Sequence, residues 1–427
     1  MLAMLDVLKR SRPFYGWYIV ATGFVLGFFV NGLVFYGFTT IFKPIVAEFG
    51  WSYATVSLAA SLRGVESGLL APVVGMLIDR WGPRRIVFIG ASVLALGLFM
   101  LSRVDSLTTF FISFILISTA MGTCAVTVVM AAVSNWFRRK VGLAMSIVSA
   151  GFGAGGVMVF LMARLVDIYG WRMMIQSLSF GVLVIILPLS LLLRHKPQQY
   201  GYLPDGDLPQ ESRTLAEKAV NKGKEYGLTI KEAVKTRTFW LLAVMFVCHH
   251  FIVAAVVTHV MPYLTDVGLD TTMASIGAAG IPLVSIAGRM GFGALGDKMS
   301  RKRLMVVMFA IVSLGLVSFQ ISTSYAIAGM IVFLALFGTG YGGFNSVRPA
   351  FTRQVFGTKH YGTIFGCLIG MGFAGTMAGP VVAGRLFDIQ GSYHNIWLLF
   401  ALVAFIAFIA SIAINNKQLY SEDESVD

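Results

Sequence analysis

The segment Gly75-Met-Leu-Ile-Asp79-Arg80-Trp-Gly82-Pro-Arg84-Arg85 connects two apolar runs of the 427-residue chain. A second segment, Gly293-Ala-Leu-Gly-Asp297-Lys298-Met-Ser300-Arg301-Lys302-Arg303, places a glycine, an aspartate and a basic cluster at the same spacing. A carboxylate at the end of a helix is disfavoured by the local dipole, so Asp79 needs cationic or amide partners nearby. The repeated pattern predicts that the chain consists of two related halves.

The composition around these segments indicates a membrane protein. Hydrophobic residues make up 57% of the chain and charged residues only 12%, and the mean hydropathy is +0.80. Soluble domains carry about 25% charged residues, so this chain cannot cover itself with a polar surface and lipid is its expected solvent. The net charge of +13 comes from basic residues in short loops, without an aromatic-interleaved platform for nucleic acid.

The apolar runs predict an all-α membrane protein with twelve transmembrane helices in two pseudo-symmetric halves. A span requires about 20 mainly apolar residues. We predict a six-helix bundle in 1–193, a cytoplasmic linker in 194–237, a second six-helix bundle in 238–415 and a cytoplasmic tail in 416–427. The predicted spans are 15–41, 52–78, 85–102, 107–133, 141–163, 173–193, 238–264, 272–296, 303–321, 325–348, 361–384 and 393–415.

The distribution of positive charge predicts the orientation of these spans. With both termini in the cytoplasm, the termini and even-numbered loops hold 26 lysines and arginines, and the odd-numbered loops hold five. The two others, Arg63 and Arg289, lie within spans. Positive charge accumulates on the cytoplasmic side, so we predict that both termini are cytoplasmic. The short termini and the absence of a targeting segment predict a prokaryotic cell membrane. Removing one span would scramble this asymmetry.

The two loop segments resemble the signature of the major facilitator superfamily. In that family the network latches one conformation, which implies this role for Asp79, Arg80, Arg84 and Arg85. The second copy implies the same role for Asp297, Lys298 and Arg301. The copy departs from the pattern at Ser300, where the family prefers glycine.

Four short patches resemble, within that superfamily, the monocarboxylate porters and the oxalate–formate exchangers. They are Tyr15-Gly16-Trp17, Phe49-Gly50-Trp51-Ser52, the segment from Asn135 through Ala144, and Arg289 eight residues before Asp297. The resemblance implies alternating-access transport of a small organic anion. The predicted span 361–384 contains no lysine, although the oxalate exchanger has a second cation there, and this argues against a dianion held between two charges.

Arg289 is the sharpest candidate for substrate binding. A cation at the centre of a span costs about 2.5–3.5 kcal/mol on insertion scales, so it needs a partner or an aqueous cavity. The guanidinium fork matches a carboxylate in two parallel hydrogen bonds. The alternative is a structural ion pair across the bundle.

Four groups are candidates for proton coupling. Arg63 and Glu66 are three residues apart and share a helix face, so Glu66 either accepts a proton during transport or forms a packing pair with Arg63. His249 and His250 lie near the middle of their span, and histidine titrates in the physiological range. Adjacent residues point about 100° apart, so we expect at most one of them to face a cavity. The alternative for either histidine is a hydrogen bond to a neighbouring helix.

A transport cavity also requires a few placed polar groups among apolar ones. Asn31 and Tyr36 in the first span, and Tyr341 and Asn345 in the tenth, are candidates to line it. Otherwise these four residues serve helix packing.

The sequence therefore predicts a proton-coupled symporter of small monocarboxylates such as lactate or pyruvate, working as a monomer in a lipid bilayer. It contains no catalytic cluster, metal-ligand spacing or nucleotide-binding motif, so we predict neither an enzyme nor a cofactor. The alternatives within transport are an organic-anion exchanger and an exporter of another solute, including a hydrophobic drug. A non-transporting membrane sensor is the alternative of another class, and the 44-residue linker and twelve-residue tail are small for the soluble domain it would need.

Overall fold

The structure is a computed structural model that describes residues 14–62, 71–123, 126–137, 140–200, 202, 205, 227–296, 298–321, 326–357 and 359–414. These residues are almost entirely helical. Within them the one β-type pairing is an isolated bridge between Gly227 and Gly357.

Ten helices in the described part are long and apolar enough to cross a membrane. One of them, 143–191, consists of two helices joined by a kink at Gly170, whose φ is +77°, and therefore holds two spans. These ten helices account for eleven spans, and the second span is the twelfth. It is described as the helix Tyr53–Leu62 and the start of Ala71–Ser102, which turns at Gly82 with φ +76° into span 3. Twelve transmembrane helices therefore form the protein, as the sequence predicts.

The helices of the first half fill spans 1 to 6. Their bounds are Gly16–Val30, Asn31–Tyr36, Phe38–Phe49, Tyr53–Leu62, Ala71–Ser102, Leu107–Thr123, Val126–Trp136, Val141–Ala154 and Val157–Leu191. The helices of the second half fill spans 7 to 12. Their bounds are Arg237–Asp266, Thr271–Leu295, Arg301–Ile321, Ala326–Phe333, Leu334–Gly338, Thr339–Phe356, Tyr361–Gln390 and His394–Ala413.

A short helix precedes span 7 at the end of the linker. It covers Ile230–Ala233, with a capping box in which the side chains of Thr229 and Glu232 bond each other's backbone N–H groups. The helix of span 7 then begins at Arg237. It is capped by the Thr236 hydroxyl, which accepts a hydrogen bond from the N–H of Phe239 at 3.2 Å.

The tenth span continues to Phe356, eight residues beyond its predicted end at 348. Arg348, the last residue of the predicted span, therefore lies inside the helix, whereas the charge distribution counts it with the following cytoplasmic loop. Arg348, Pro349 and Arg353 interrupt the apolar run at this point. Within this helix, Arg348 borders a polar cavity and Arg353 is exposed.

Spans 1 and 10 each contain a π-helical turn, at Asn31–Tyr36 and Leu334–Gly338. In the first of these, the N–H of Gly37 donates to the carbonyl of Gly32 at 2.8 Å, a bond across five residues. Such wide turns are rare and are found mostly at functional sites. They occur here in one span of each half, and the turn in span 1 borders the cavity described below.

Candidate functional site

A cavity of about 860 Å³ lies between the two halves. Spans 1, 4 and 5 line it from the first half, and spans 7, 8, 10 and 11 from the second. Its polar lining residues are Asn31, Tyr36, Ser146, Ser149, His249, His250, Arg289, Tyr341, Asn345, Ser346, Arg348 and Thr376. It therefore combines an apolar wall with a limited set of polar groups, as small-molecule sites do.

Arg289 extends into this cavity from span 8. Its Nη1 donates to the carbonyl oxygen of Ser149 in span 5 at 3.4 Å, which is long for a hydrogen bond. Its Nε is buried and has no hydrogen-bond partner in the described residues. The ion pair that would make Arg289 purely structural is therefore not found in the described part of the chain.

Close helix packing brings Arg289 and span 10 together. A Cβ atom on Gly342 would overlap the carbonyl of Ser285, and one on Gly288 would overlap the carbonyl of Thr339. Spans 8 and 10 can approach at this distance only because these two positions carry no side chain. The approach places Tyr341, Asn345 and Arg289 on one wall of the cavity.

Asn31 and Tyr36 both line the cavity from span 1. In an α-helix, residues five apart point about 140° from each other. The π turn closes over five residues, so the two side chains lie on the same face. The Tyr36 hydroxyl lies 3.3 Å from that of Tyr341, a hydrogen bond that joins the two halves.

Both histidines border the cavity, so the expectation that at most one would face it is wrong. The cavity is wide enough to extend around more than one face of span 7. The Nδ1–H of His250 donates to the carbonyl of Phe246 at 2.8 Å, since a carbonyl can only accept, and this leaves Nε2 for other partners. The His249 ring packs against Phe344, with centroids 4.4 Å apart.

Arg348 is a cavity residue that the sequence analysis missed. It follows Tyr341 and Asn345 at helical spacing, so it shares their face. Its guanidinium lies over the rings of Phe246 and Phe344, 5.2 and 5.7 Å from their centroids. Its Nε and Nη1 are buried without a hydrogen-bond partner in the described residues. The spacing from Asn345 was the available signal, and the misplaced end of span 10 hid it.

The other predicted site residues fall elsewhere. Arg63 and Glu66 lie outside the described residues, as do Asp297 and the side chain of Asp79. The structure shows the basic members of the predicted latch as follows: Arg80, Arg84, Arg85 and Lys298 are exposed, and Arg301 donates to Oε1 of Gln354 at 2.9 Å. The latch and the Arg63–Glu66 pair remain predictions.

The halves are joined on one side of the cavity by a polar network, which we call the closed end. It consists of Thr39, Lys43, Ser57 and the N–H groups of Tyr53 and Ala54 from the first half, and of Thr258, His259, Met261, Asp266, Asp388 and Tyr393 from the second. In spans 1 and 7 the cavity-lining residues lie on the linker side of these contacts. The cavity is thus closed off at the end opposite the linker.

Asp388 makes the most specific contact of the closed end. Its carboxylate accepts from the N–H groups of Tyr53 at 2.8 Å and Ala54 at 2.9 Å, at the start of span 2. Ser52 accepts from the N–H of Thr55 in the same turn. The first N–H groups of a helix have no partner within it, so a residue of one half caps a helix of the other.

A histidine completes the closed end. The Nε2–H of His259 donates to the carbonyl of Pro380 at 3.1 Å, so its Nδ1 accepts from the Tyr393 hydroxyl at 2.8 Å. The same Nε2 lies 3.1 Å from the Ser57 hydroxyl of the first half. Lys43 and Asp266 form an ion pair between the ends of spans 1 and 7.

The fold and the central cavity define a polytopic transporter, and the comparisons with known proteins identify its family. The model of the Major Facilitator Superfamily matches residues 24–291 and 265–423. The chain therefore belongs to the major facilitator superfamily and is a multi-pass membrane transporter.

Relatives and solved structures agree with this assignment. The chain is 25% identical to an oxalate:formate antiporter of Oxalobacter formigenes, over 91% of this chain and 89% of that one. It is also 25% identical to monocarboxylate transporter 13 of Bos taurus, over 89% and 84% of the two chains. A bacterial homologue of the human lysosomal transporter Spinster, in an inward-facing and occupied conformation, has the same fold, with a TM-score of 0.72 at 16% identity over 94% of this chain and 96% of that one.

Proposed function

We propose that the protein is a secondary transporter of small carboxylates that binds the carboxylate at Arg289. The observation that carries the proposal is the guanidinium of Arg289, which borders a cavity between the halves with its Nε unpartnered in the described residues. A hydrogen bond to a charged group contributes about 1.5–3 kcal/mol, and a buried donor left unpaired costs a comparable amount. An incoming carboxylate removes that cost, whereas a neutral apolar cargo does not.

The names of the relatives and the charged residues of the cavity indicate which substrate and which transport mechanisms to propose. Both relatives reported above carry small organic anions in their names. In the proposal, bundles 1–193 and 238–415 of one monomer rock about the cavity, with linker 194–237 and both termini in the cytoplasm of a cell. Proton-coupled symport of a monocarboxylate such as lactate or pyruvate is the first mechanism. His249 and His250 are its candidate proton carriers within the described residues. Glu66, which lies outside the described residues, is a further candidate.

Anion exchange is the second mechanism, and a specific observation favours it. Arg289 and Arg348 both border the cavity, and the lining residues that the structure describes include no aspartate or glutamate. An empty cavity then carries two uncompensated charges, whose passage through a closed, dehydrated state is costly. Such a carrier reorients readily only when an anion is bound, which is the behaviour of an exchanger.

Reconstitution in proteoliposomes tests the proposal. We expect saturable uptake of labelled pyruvate and lactate above that of protein-free liposomes, since undissociated acids also diffuse. Arg289→Gln should weaken uptake about 10- to 100-fold, because one charge-assisted contact is lost and each 1.4 kcal/mol corresponds to a factor of ten. Arg289→Lys keeps the charge but loses the guanidinium fork, so its uptake should lie between that of wild type and that of Arg289→Gln.

The pattern of stimulation separates the two mechanisms. An imposed inward proton gradient should accelerate uptake by a symporter, whereas internal unlabelled anion should accelerate uptake by an exchanger. Equal uptake by wild type and Arg289→Gln, in correctly folded protein, would contradict the proposed binding site.

A further inference from the structure

The cavity contains a second cation whose role the proposed function does not explain. Arg348 lies in the helix Thr339–Phe356, on the face that also carries Tyr341 and Asn345. Arg289 of span 8 borders the same cavity. Two cations that share one cavity repel each other unless an anion compensates them.

The described surroundings of Arg348 provide aromatic faces and no counter-charge. Phe246 and Phe344 lie under the guanidinium, and such contacts contribute up to about 2 kcal/mol when desolvated. They do not bond its N–H groups, and Nε and Nη1 stay buried without a partner in the described residues. The rings hold the guanidinium in place and leave its hydrogen-bonding capacity unused.

We infer that Arg348 is a second anion-binding residue and that the preferred cargo carries two anionic groups, as a dicarboxylate does. This inference rests on the proposed function, because it assigns one carboxylate to Arg289 and the other to Arg348. A monocarboxylate compensates one guanidinium and leaves the other unpaired. A dicarboxylate compensates both, so the loaded cavity becomes neutral in charge.

The inference reverses an expectation drawn from the sequence. The absence of lysine from 361–384 argued against a dianion held between two charges, and that argument assumed that a second cation must come from span 11. The structure instead places an arginine of span 10 in the cavity. Span 11 contributes Thr376 to the lining, a neutral hydroxyl.

Matched pairs of acids test the inference, because each pair differs by one carboxylate at constant chain length: malonate with propionate, and succinate with butyrate. Binding is measured by calorimetry on purified protein and transport by counterflow in proteoliposomes. Wild type should prefer the diacid of the better-fitting pair about 10- to 100-fold, the effect of one charge-assisted contact. Comparison of the two pairs indicates the separation of the guanidinium groups.

The variant Arg348→Gln should remove this preference. We expect the diacid to bind 10- to 100-fold more weakly, to the level of its monoacid partner, while the affinity for the monoacid changes less than about threefold. Arg353→Gln is the matched control, since Arg353 lies on the same helix and is exposed; it should behave as wild type. Monodispersity and melting temperature of each variant establish that it is folded.

The outcomes separate the two proposals. Equal preference for monoacid and diacid in the wild type, or equal weakening of both by Arg348→Gln, would overturn the second binding residue and leave Arg289 as the carboxylate site. If Arg348→Gln does not fold, Arg348→Lys decides, because it keeps the charge and should retain a diacid preference. Failure of every acid to bind, with Arg289 intact, would overturn the proposed function itself.

Discussion

The closed end and the cavity are both polar regions between the same two halves, and they differ in how their charges are satisfied. At the closed end, Asp388 caps span 2 and Asp266 pairs with Lys43. In the cavity, Arg289 and Arg348 have buried nitrogens without partners in the described residues. In our proposal, groups of the first kind hold one conformation together, whereas groups of the second kind bind the cargo.

The comparison suggests how a transporter separates latching from binding. A contact between halves must break in each cycle, so it should be built from several modest interactions. A binding cation must stay free of resident partners, because a fixed carboxylate would compete with the cargo at high local concentration. Three substitutions test this division, and the largest effect is expected in the cavity.

Ser149→Asp would give the cavity a resident carboxylate. The backbone carbonyl of Ser149 already receives the Nη1 of Arg289, and its side chain lines the same space. A charged partner at that position should pair with Arg289 and weaken carboxylate binding about 100-fold or more, while raising the melting temperature. Ser149→Asn, of the same size and without the charge, should bind within a few-fold of wild type. Unchanged binding in the aspartate variant would contradict an open guanidinium.

Asp388→Ala would remove the cap at the closed end. Loss of a capping acid costs about 0.5–2 kcal/mol, so the equilibrium should move roughly 2- to 30-fold towards separation of the halves at that end. Spin labels are attached to cysteines that replace the exposed Ala47 and Ser392, in a background without the three native cysteines. Separation of the halves would increase the population of long distances between the two labels. Asp167→Ala is the control, because Asp167 lies three residues before Gly170 as Asp388 lies three residues before Gly391, and Asp167 is exposed. An unchanged distance distribution in Asp388→Ala would show that the Asp388 cap does not hold the halves together at the closed end.

Charge reversal of the pair Lys43–Asp266 should produce the smallest effect. Both side chains are about one-third exposed, and such pairs contribute about 0.2–1 kcal/mol. Lys43→Asp should therefore open the same end by no more than about fivefold at low salt, and the double variant Lys43→Asp with Asp266→Lys should restore the distances. Failure of the double variant to restore them would indicate that the two charges do not act as a pair.

Much of this organisation could be predicted from the sequence, because it follows from local composition. Hydropathy and the distribution of Lys and Arg predict twelve spans, and the repeat of the Gly75–Arg85 segment predicts two halves. The sequence reveals the cavity residues Arg289, Asn31 and Asn345 because a polar side chain is costly in an apolar transmembrane helix unless it faces a cavity or a polar partner.

What the sequence did not reveal depends on contacts between distant segments. The π turn at Asn31–Tyr36 leaves no mark in the residue pattern, although it decides that both side chains face the cavity. The cap on span 2 joins residues 335 positions apart. Arg348 was missed for a different reason: a charged residue beside a proline is typical of the end of a span, and only the packing shows that the helix continues around a polar space.

The central claim is that Arg289 and Arg348, which have no acidic partner among the residues that the structure describes, bind the cargo. A density map of the protein with bound succinate or malonate tests it most directly. The account predicts one carboxylate at each guanidinium, with both forks turned towards the ligand. A map in which Arg289 is paired with a resident carboxylate such as Glu66, and the acid is bound elsewhere, would contradict it.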